Sequence, residues 1–218
     1  MPRKVRFLLV VLLLAALVCP ALLSCSRAPK VENLREDVTA LLEAAPEINE
    51  IFFGAGLPVF DRAAPENAAL YENVPDSMSQ YDLVDTAHAK FASIEHIKAA
   101  ALRVYSAACI TPLFDTAFEG VSSDANPSTI LVSKPYFVEQ DGRLYQLRRS
   151  ELDPDFDPIR NRSLVFDYSS LRVVKPSSKT QVHLSISAHL LSNPQQTETK
   201  TFYLLATPTG WKLHSWIL

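Results

Sequence analysis

The chain has 218 residues, of which 48% are hydrophobic and 21% charged, a composition typical of a globular protein with its own core. Its formal net charge of −3 at pH 7 argues against nucleic acid as a partner, because surfaces that bind nucleic acid are rich in lysine and arginine. With only five glycines, the sequence has no glycine-rich phosphate-binding loop of either common kind.

The first 24 residues are predicted to be an export signal. Three of the first six residues are basic, the run from Phe7 to Leu23 is almost wholly apolar, and Ser24 places a small residue before Cys25. These are the three parts of a secretory signal peptide. The apolar run has 17 residues, the lower limit for crossing about 30 Å of hydrocarbon, so we favour a cleaved signal over a spanning segment.

Leu22-Leu23-Ser24-Cys25 resembles a lipobox, the motif at which a bacterial lipoprotein is acylated on its cysteine and cleaved just before it. Cys25 is therefore the predicted lipidation site, followed by a lipidated tether of residues 25–30 and one folded domain of residues 31–218. An uncleaved anchor and ordinary secretion are the alternatives. Cleavage would remove three basic residues and no acidic one, and the resulting net charge of −6 suits either a basic partner or simple solubility.

Only one of the three cysteines is expected to remain a free thiol. Cys19 lies within the signal, Cys25 would carry the lipid, and Cys109 is left. The mature chain can then form no internal disulfide, so its stability must come from its core. Cys109 lies at the edge of the apolar stripe of a predicted helix, near the C-terminus of that helix, which predicts a partly buried structural thiol.

Helices are predicted for the first half of the mature chain. Apolar residues recur with helical spacing from Val31 to Ala45, where Pro46 is expected to interrupt the helix before a second short piece. A further short helix is expected near Glu66 to Tyr71. The clearest helix runs from its N-cap residue Ser93 to about Cys109, and the residues from Leu113 to Phe118 are expected to add one turn.

From residue 135 the pattern changes to the alternation of strands. Asp141-Gly142 predicts a tight hairpin turn, and Gln181 to Leu190 alternates cleanly between apolar and polar residues. The predicted strands are Pro135–Glu139, Arg143–Leu147, Leu171–Val174, Gln181–Leu190, Thr201–Thr207 and Trp211–Leu218. Helices followed by an antiparallel sheet predict an α+β fold, with N-terminal helices packed on one face of a C-terminal twisted antiparallel sheet.

The candidate ligand-binding residues are His183 and His189. Both project from the polar face of their strand, together with Ser185 and Ser187. Six residues of a strand span about 20 Å, so the two histidines cannot share one zinc ion, and no His-x-x-x-His spacing is present. The face either lines a groove, in which each histidine joins a residue of another strand, or is simply solvated. No metal and no cofactor is predicted.

The candidate partner-binding residues are Asp153, Asp155 and Asp157. An EF-hand calcium loop starting at Asp153 would need Gly and Glu where the chain has Pro158 and Leu164, so we reject that interpretation. The segment is better interpreted as an acidic surface loop suited to a basic partner.

Four segments together resemble a known family: Ile48-Asn49-Glu50-Ile51-Phe52-Phe53-Gly54 with Gly56-Leu57-Pro58, Ser93-Ile94-Glu95-His96-Ile97-Lys98, Tyr136-Phe137-Val138-Glu139-Gln140-Asp141-Gly142-Arg143-Leu144-Tyr145, and Gly210-Trp211-Lys212-Leu213. In this order they are similar to exported proteins of Gram-positive bacteria related to the DL-endopeptidase inhibitor family. The resemblance implies a non-catalytic protein that blocks the Cys/His peptidases that trim the cell-wall peptide. It assigns no site, because no inhibitory residue matches a position here.

The helix-then-sheet order also resembles the cone-shaped fold of nuclear transport factor 2 relatives, which implies small-ligand binding or, in some members, catalysis. Asp82, Asp85, His88 and His96 cluster in sequence, but they include no nucleophile or oxyanion donor, so no catalytic set is predicted. Three functions follow as expectations. The first is a lipid-anchored extracytoplasmic binding protein without enzymatic activity that restrains a cell-wall hydrolase. The others are a ligand-binding or enzymatic cone fold and a scaffolding lipoprotein.

Replacing the predicted lipidation site tests the anchoring. The Cys25→Ser chain should still fold but appear in the soluble fraction once the signal is removed, because acyl chains supply most of the membrane affinity. Fractionation followed by immunoblotting measures this. Retention of the processed variant in the membrane would contradict the prediction.

Overall fold

The computed structural model describes residues 28–122, 132–148 and 164–218. The predicted signal, Cys25 and the acidic residues Asp153, Asp155 and Asp157 lie outside these ranges. The α-helices are α1 (Arg35–Phe53), α2 (Ala68–Tyr71), α3 (Ile94–Val104) and α4 (Ala107–Phe114), and short 3₁₀ turns occur at Val31–Asn33, Pro65–Asn67 and Asp76–Met78.

Helix α1 continues through Pro46, so the prediction of two helical pieces is wrong. The proline lies on the exposed side of the helix, where its ring meets solvent. The buried stripe runs across it without a break in spacing, through Leu42, Ala45 and Ile48. A proline inside a helix removes one main-chain hydrogen bond and costs about 3 kcal/mol. Burial of seven apolar side chains along this helix outweighs that cost.

Helix α3 begins as predicted and ends five residues earlier than predicted. Ser93 is its N-cap, and the Ser93 hydroxyl accepts a hydrogen bond from the amide of His96 (3.1 Å). At Tyr105 the chain turns to an extended conformation and forms a parallel bridge with Leu213. The amide of Ser106 donates to the carbonyl of Leu213 (2.8 Å), after which α4 starts. The C-terminal strand thus captures a piece of main chain that its sequence alone favours as helix.

The strands form two four-stranded antiparallel sheets and one two-stranded pair. The first sheet has the order β1 (Val59–Phe60), β2 (Tyr81–Val84), β6 (Arg143–Leu147), β5 (Phe137–Gln140). The C-terminal sheet has the order β10 (Gly210–Leu213), β9 (Asn193–Thr207), β8 (Gln181–Leu190), β7 (Leu164–Val174), and β3 (Val121–Ser122) pairs with β4 (Val132–Ser133). The α+β prediction is confirmed, but two sheets replace the one expected, since β1 and β2 come from the region between the helices.

Most of the helices and one face of the C-terminal sheet enclose the main hydrophobic core. The inward positions of β8 are Val182, Leu184, Ile186 and Ala188, each at most 1% exposed, as their alternation predicted. One face of the first sheet contributes to this main core. Its opposite face is covered by a second, smaller cluster of Met78, Tyr81, Leu83, Tyr145 and Leu147. The Asp141-Gly142 turn is confirmed, with φ of 53° and 72° at its two residues.

The chain beyond β10 is held against α1 and the α3–α4 junction. The fully buried Tyr105 donates its hydroxyl hydrogen to Oδ1 of Asn49 (2.6 Å), and Nδ2 of Asn49 donates to the carbonyl of Ile217 (3.0 Å). The ring of Trp216 packs on Tyr105 (4.3 Å between centroids) and edge-on against Phe53 (4.8 Å). Burial raises the pKa of Tyr105 well above its usual value, so the phenol stays a hydrogen-bond donor.

Removing that phenol should destabilise the fold. Tyr105→Phe leaves Oδ1 of Asn49 without its partner, and we expect a loss of about 1–2 kcal/mol in the free energy of unfolding. Tyr203→Phe, at an exposed tyrosine, is the matched control and should lie within about 0.5 kcal/mol of the parent. Urea unfolding followed by circular dichroism measures both. Equal losses in the two variants would contradict the structural role of the Tyr105 hydroxyl.

Candidate functional site

The face of the C-terminal sheet that points away from the helices carries both histidines singled out in the sequence. We call it the outer sheet face. Cross-strand pairing places its residues in rows: Val174, His183 and Tyr203; Arg172, Ser185 and Thr201; Asp167, Ser187 and Thr199; Val165, His189 and Thr197. His183 and His189 lie six residues apart on β8, about 20 Å along the strand, so they belong to opposite ends of this face.

His183 forms an aromatic pair with Tyr203. The two rings are stacked, with centroids 4.3 Å apart and planes inclined by 16°. The main-chain amide of His183 donates to Oγ of Ser177 (2.9 Å), whereas its ring Nδ1 is buried and has no hydrogen-bond partner among the described residues. Tyr203 is 39% exposed, so the pair presents a fixed aromatic patch to solvent.

The middle of the outer sheet face is rich in hydroxyl groups and carries one fixed cation. Nε of Arg172 donates to Oγ of the buried Ser185 (3.1 Å), which orients the exposed guanidinium. The register of β7 shifts between Asp167 and Arg172, and the bulge is held by Ser170, whose hydroxyl donates to the carbonyl of Asp167 (2.6 Å) and accepts from the amide of Ser187 (2.7 Å). This bulge explains why alternation predicted only the second half of β7.

A groove of about 600 Å³ lies between α1 and α3, away from both histidines. Its floor is apolar, with Leu41, Ile48, Phe91 and Val104 among its lining residues. Lys90 and Arg103 also line the groove, and Lys90 pairs with Glu47 (2.7 Å). The sequence indicates the apolar faces of the two helices. The groove between them depends on how the helices pack, and periodicity does not specify that packing.

Ser106 and His214 form a pair that sequence reasoning missed. Oγ of Ser106 lies 2.7 Å from Nδ1 of His214, although the residues are 108 positions apart. A serine–histidine pair can activate a nucleophile, but Ser106 is only 2% exposed, and no described carboxylate is bonded to the histidine. The main-chain amide of His214 donates to the carbonyl of Tyr203 (2.7 Å), so the pair fastens the chain after β10 to the start of α4.

Cys109 lies in the first turn of α4, so its predicted place near a helix C-terminus is wrong, because the helix breaks at Tyr105. The thiol is half-buried, and that burial raises its pKa. The thiolate is therefore disfavoured at neutral pH, in agreement with the prediction of a structural thiol.

Asp82 is a buried carboxyl group beside the second hydrophobic cluster. One of its oxygens lies 3.7 Å from the guanidinium of Arg148, and burial raises the pKa of Asp82 above its usual value. Nearby, the guanidinium of Arg62 lies 4.5 Å from the centre of the Tyr71 ring. In contrast, the partly buried Asp85 is bound to the exposed His88 (2.6 Å), whose hydrogen bond lowers the pKa of Asp85. Of the four residues grouped by sequence, Asp85 and His88 are therefore in contact, whereas Asp82 lies in a separate, buried environment.

Comparisons with known proteins identify no family. A scan against protein-family models finds no match to the chain, and a search of curated proteins finds no relative. Within residues 28–122, 132–148 and 164–218, no helix is long and apolar enough to cross a membrane. In the same ranges, no three histidine, cysteine, aspartate or glutamate side chains are grouped as they would be to hold a metal ion.

The buried carboxyl group should produce a distinctive pH dependence. Because the folded pKa of Asp82 is raised, the native state binds its proton more readily than the unfolded chain does. Stability should therefore fall as pH rises from the ordinary aspartate pKa through the raised one. Asp82→Asn removes this fall and should be at least as stable as the parent at pH 7. Urea unfolding of both proteins at a series of pH values measures the difference.

Asp85→Asn is the matched control with the opposite sign. The lowered pKa of Asp85 contributes stability above the ordinary aspartate pKa, which is lost as pH falls through the lowered value. The stability of the parent relative to this variant should therefore increase as pH rises. If the Asp82 variant behaved in the same way as the control, the assignment of a destabilising buried carboxylate would be wrong.

Proposed function

We propose that the protein is a non-enzymatic binding protein, held outside the cell membrane by lipid on Cys25, that docks a protein partner on the outer sheet face. The observation that carries the proposal is the character of this face. Its outer strands carry exposed residues, and the exposed Tyr203 and Arg172 side chains are fixed by His183 and Ser185 of the central strand β8. Tyrosine and arginine, with tryptophan, are among the residue types most enriched at the centres of protein interfaces.

The dimensions of the outer sheet face suit a protein surface better than a small molecule. The face runs about 30 Å along β8 and about 15 Å across its four strands. Its area is thus on the order of 500 Å², compared with about 800 Å² per partner in a standard protein interface. A small ligand is usually enclosed in a concave pocket, and the described groove lies elsewhere, between α1 and α3.

The environments of the two candidate nucleophiles, Ser106 and Cys109, support a function without catalysis. Ser106 is buried in the contact that fastens His214, and burial raises the pKa of the Cys109 thiol. Neither group offers an activated, accessible nucleophile of the kind that covalent catalysis requires. Binding without turnover therefore fits these environments better than hydrolysis or acyl transfer.

We assign the partner to the cell-wall DL-endopeptidases, which the protein would restrain. This rests on the resemblance in residues 48–58, 93–98, 136–145 and 210–213, and on the acidic charge expected of the mature chain. Asp153, Asp155 and Asp157 stay predicted partner contacts. A second candidate function, small-ligand binding, is favoured by the groove between α1 and α3, where Lys90 and Arg103 accompany an apolar floor.

A pull-down from envelope extract with residues 26–218 tests the proposal. We expect mass spectrometry to identify a cell-wall peptidase, and added protein to abolish the activity of that peptidase on its peptide substrate. Tyr203→Ala combined with Arg172→Ala should weaken binding at least tenfold. Truncating such an anchor residue commonly costs about 2 kcal/mol or more, and about 1.4 kcal/mol corresponds to a factor of ten in affinity.

Arg103→Ala is the matched control, because it removes an exposed arginine from the groove instead of from the sheet. It should leave peptidase binding unchanged. A captured peptidase that stayed fully active would refute inhibition, and binding that survived the Tyr203 and Arg172 changes would refute the outer sheet face as the docking site. Loss of binding in the Arg103 variant alone would move the function to the groove.

A further inference from the structure

One edge of strand β9 has no neighbouring strand for more than half of its length. The strand has 15 residues, but β10 pairs only with Leu204 to Thr207. At the next position the amide of Tyr203 donates to Oγ of Ser215 (3.1 Å), and its carbonyl accepts from the amide of His214. From Thr201 back to Asn193 no described residue bonds the main chain of this edge, although the Lys200 ammonium donates to the carbonyl of Leu218 (3.0 Å). Every residue from 193 to 199 is exposed.

The direction of the free main-chain groups follows from Tyr203. In an antiparallel strand the N–H and C=O of one residue point to the same side, and successive residues alternate between sides. Because those of Tyr203 point towards β10, those of Thr201, Thr199 and Thr197 point to the same open side. Pairing with β8 stays in register as far as Thr197, where a bulge begins. The regular open edge is therefore Thr197–Thr201, with Thr199 at its centre.

The geometry points to self-association of this chain through that edge, with two copies of β9 antiparallel and a two-fold axis at Thr199. Thr199 would face Thr199 of the second copy, and Thr197 would face Thr201 on either side. Each of these three pairs exchanges two main-chain hydrogen bonds. The two C-terminal sheets would join into one of eight strands.

Charge selects a second copy and this register. With the axis at Thr199, Glu198 of each copy lies opposite Lys200 of the other, in closely spaced pairs where opposite charges stabilise a sheet. Glu198 and Lys200 already form an ion pair within one chain (2.7 Å), and the glutamate side chain stays 52% exposed, so it has room for a second cation. An axis at Glu198 or at Lys200 would still pair the main chain, but it would place that charged residue opposite its own copy, and like charges directly opposite each other destabilise a sheet.

The composition of the open edge also favours pairing. Natural edge strands are usually protected by proline, a bulge or an inward-pointing charge. Here the proline and the bulge lie before Thr197, at Pro194 and between His189 and Leu190. The two charges on the inward face of the edge, Glu198 and Lys200, would meet opposite charges in the two-fold pair, and the threonines at 197, 199 and 201 have high strand propensity. Joining the sheets would also place two outer sheet faces side by side and so double the docking area. The self-association does not depend on the proposed docking function.

Sedimentation of the full chain in density-matched detergent, over a wide range of protein concentrations, tests the inference. The parent should show a monomer–dimer equilibrium. Glu198→Lys places like charges opposite each other in both symmetry-related pairs and should weaken dimerisation about tenfold, as should Lys200→Glu. The double variant restores opposite charges and should recover most of the affinity.

The decisive measurement mixes the two single variants. A chain with Glu198→Lys beside a chain with Lys200→Glu has opposite charges at both positions, so the mixture should form a heterodimer that neither variant forms alone. Thr199→Pro should abolish dimerisation while circular dichroism stays native, because the lost N–H faces away from β8. A parent that stayed monomeric, or a mixture no tighter than its components, would overturn the inference.

Discussion

The main chain at Tyr105 and Ser106 joins the helical layer to the C-terminal sheet, and the rest of the structure depends on this junction. The junction ends α3, because the amide of Ser106 binds the last residue of β10 instead of continuing the helix. It also starts α4 and so determines the environment of Cys109. The Tyr105 side chain then extends the contact through Asn49 to the chain beyond β10. One tyrosine therefore connects α1, the α3–α4 junction and the C-terminal residues.

The sequence could predict those elements whose formation depends on a local signal or on a repeating apolar pattern, and not on the identity of a particular distant partner. The strand Gln181–Leu190 was predicted with its observed bounds, because its alternation is complete and a whole sheet face is buried beneath it. The start of α3 was predicted because Ser93 caps it locally. Asp141-Gly142 likewise carries its turn geometry in its own residues. In each case the information is local or repeats along one element.

The errors share a different cause, since each concerns a tertiary contact. Pro46 lies within α1 because burial on the far side outweighs the lost hydrogen bond. The α3 break exists only because β10 arrives there from a distant part of the sequence. The candidate surface shows the same division: alternation placed His183 on the polar face, but not its stack on Tyr203, which depends on the register of β8 against β9. The groove between α1 and α3 likewise required knowledge of how two predicted helices pack.

Several polar side chains inside the described structure bind main chain rather than one another. Gln146 accepts from the amide of Leu57 (2.7 Å) and donates to the carbonyl of Ala55 (3.2 Å), and Asn49 binds the carbonyl of Ile217 in the same way. Gly56 permits the first contact, because a Cβ there would lie 2.2 Å from Oε1 of Gln146. Groups engaged in this way are not free for proton transfer. In contrast, Thr197, Thr199 and Thr201 of β9 and the exposed Arg172 face solvent. The interior polar groups thus hold the fold, whereas these exposed polar groups are accessible, as the proposed docking on the outer sheet face requires.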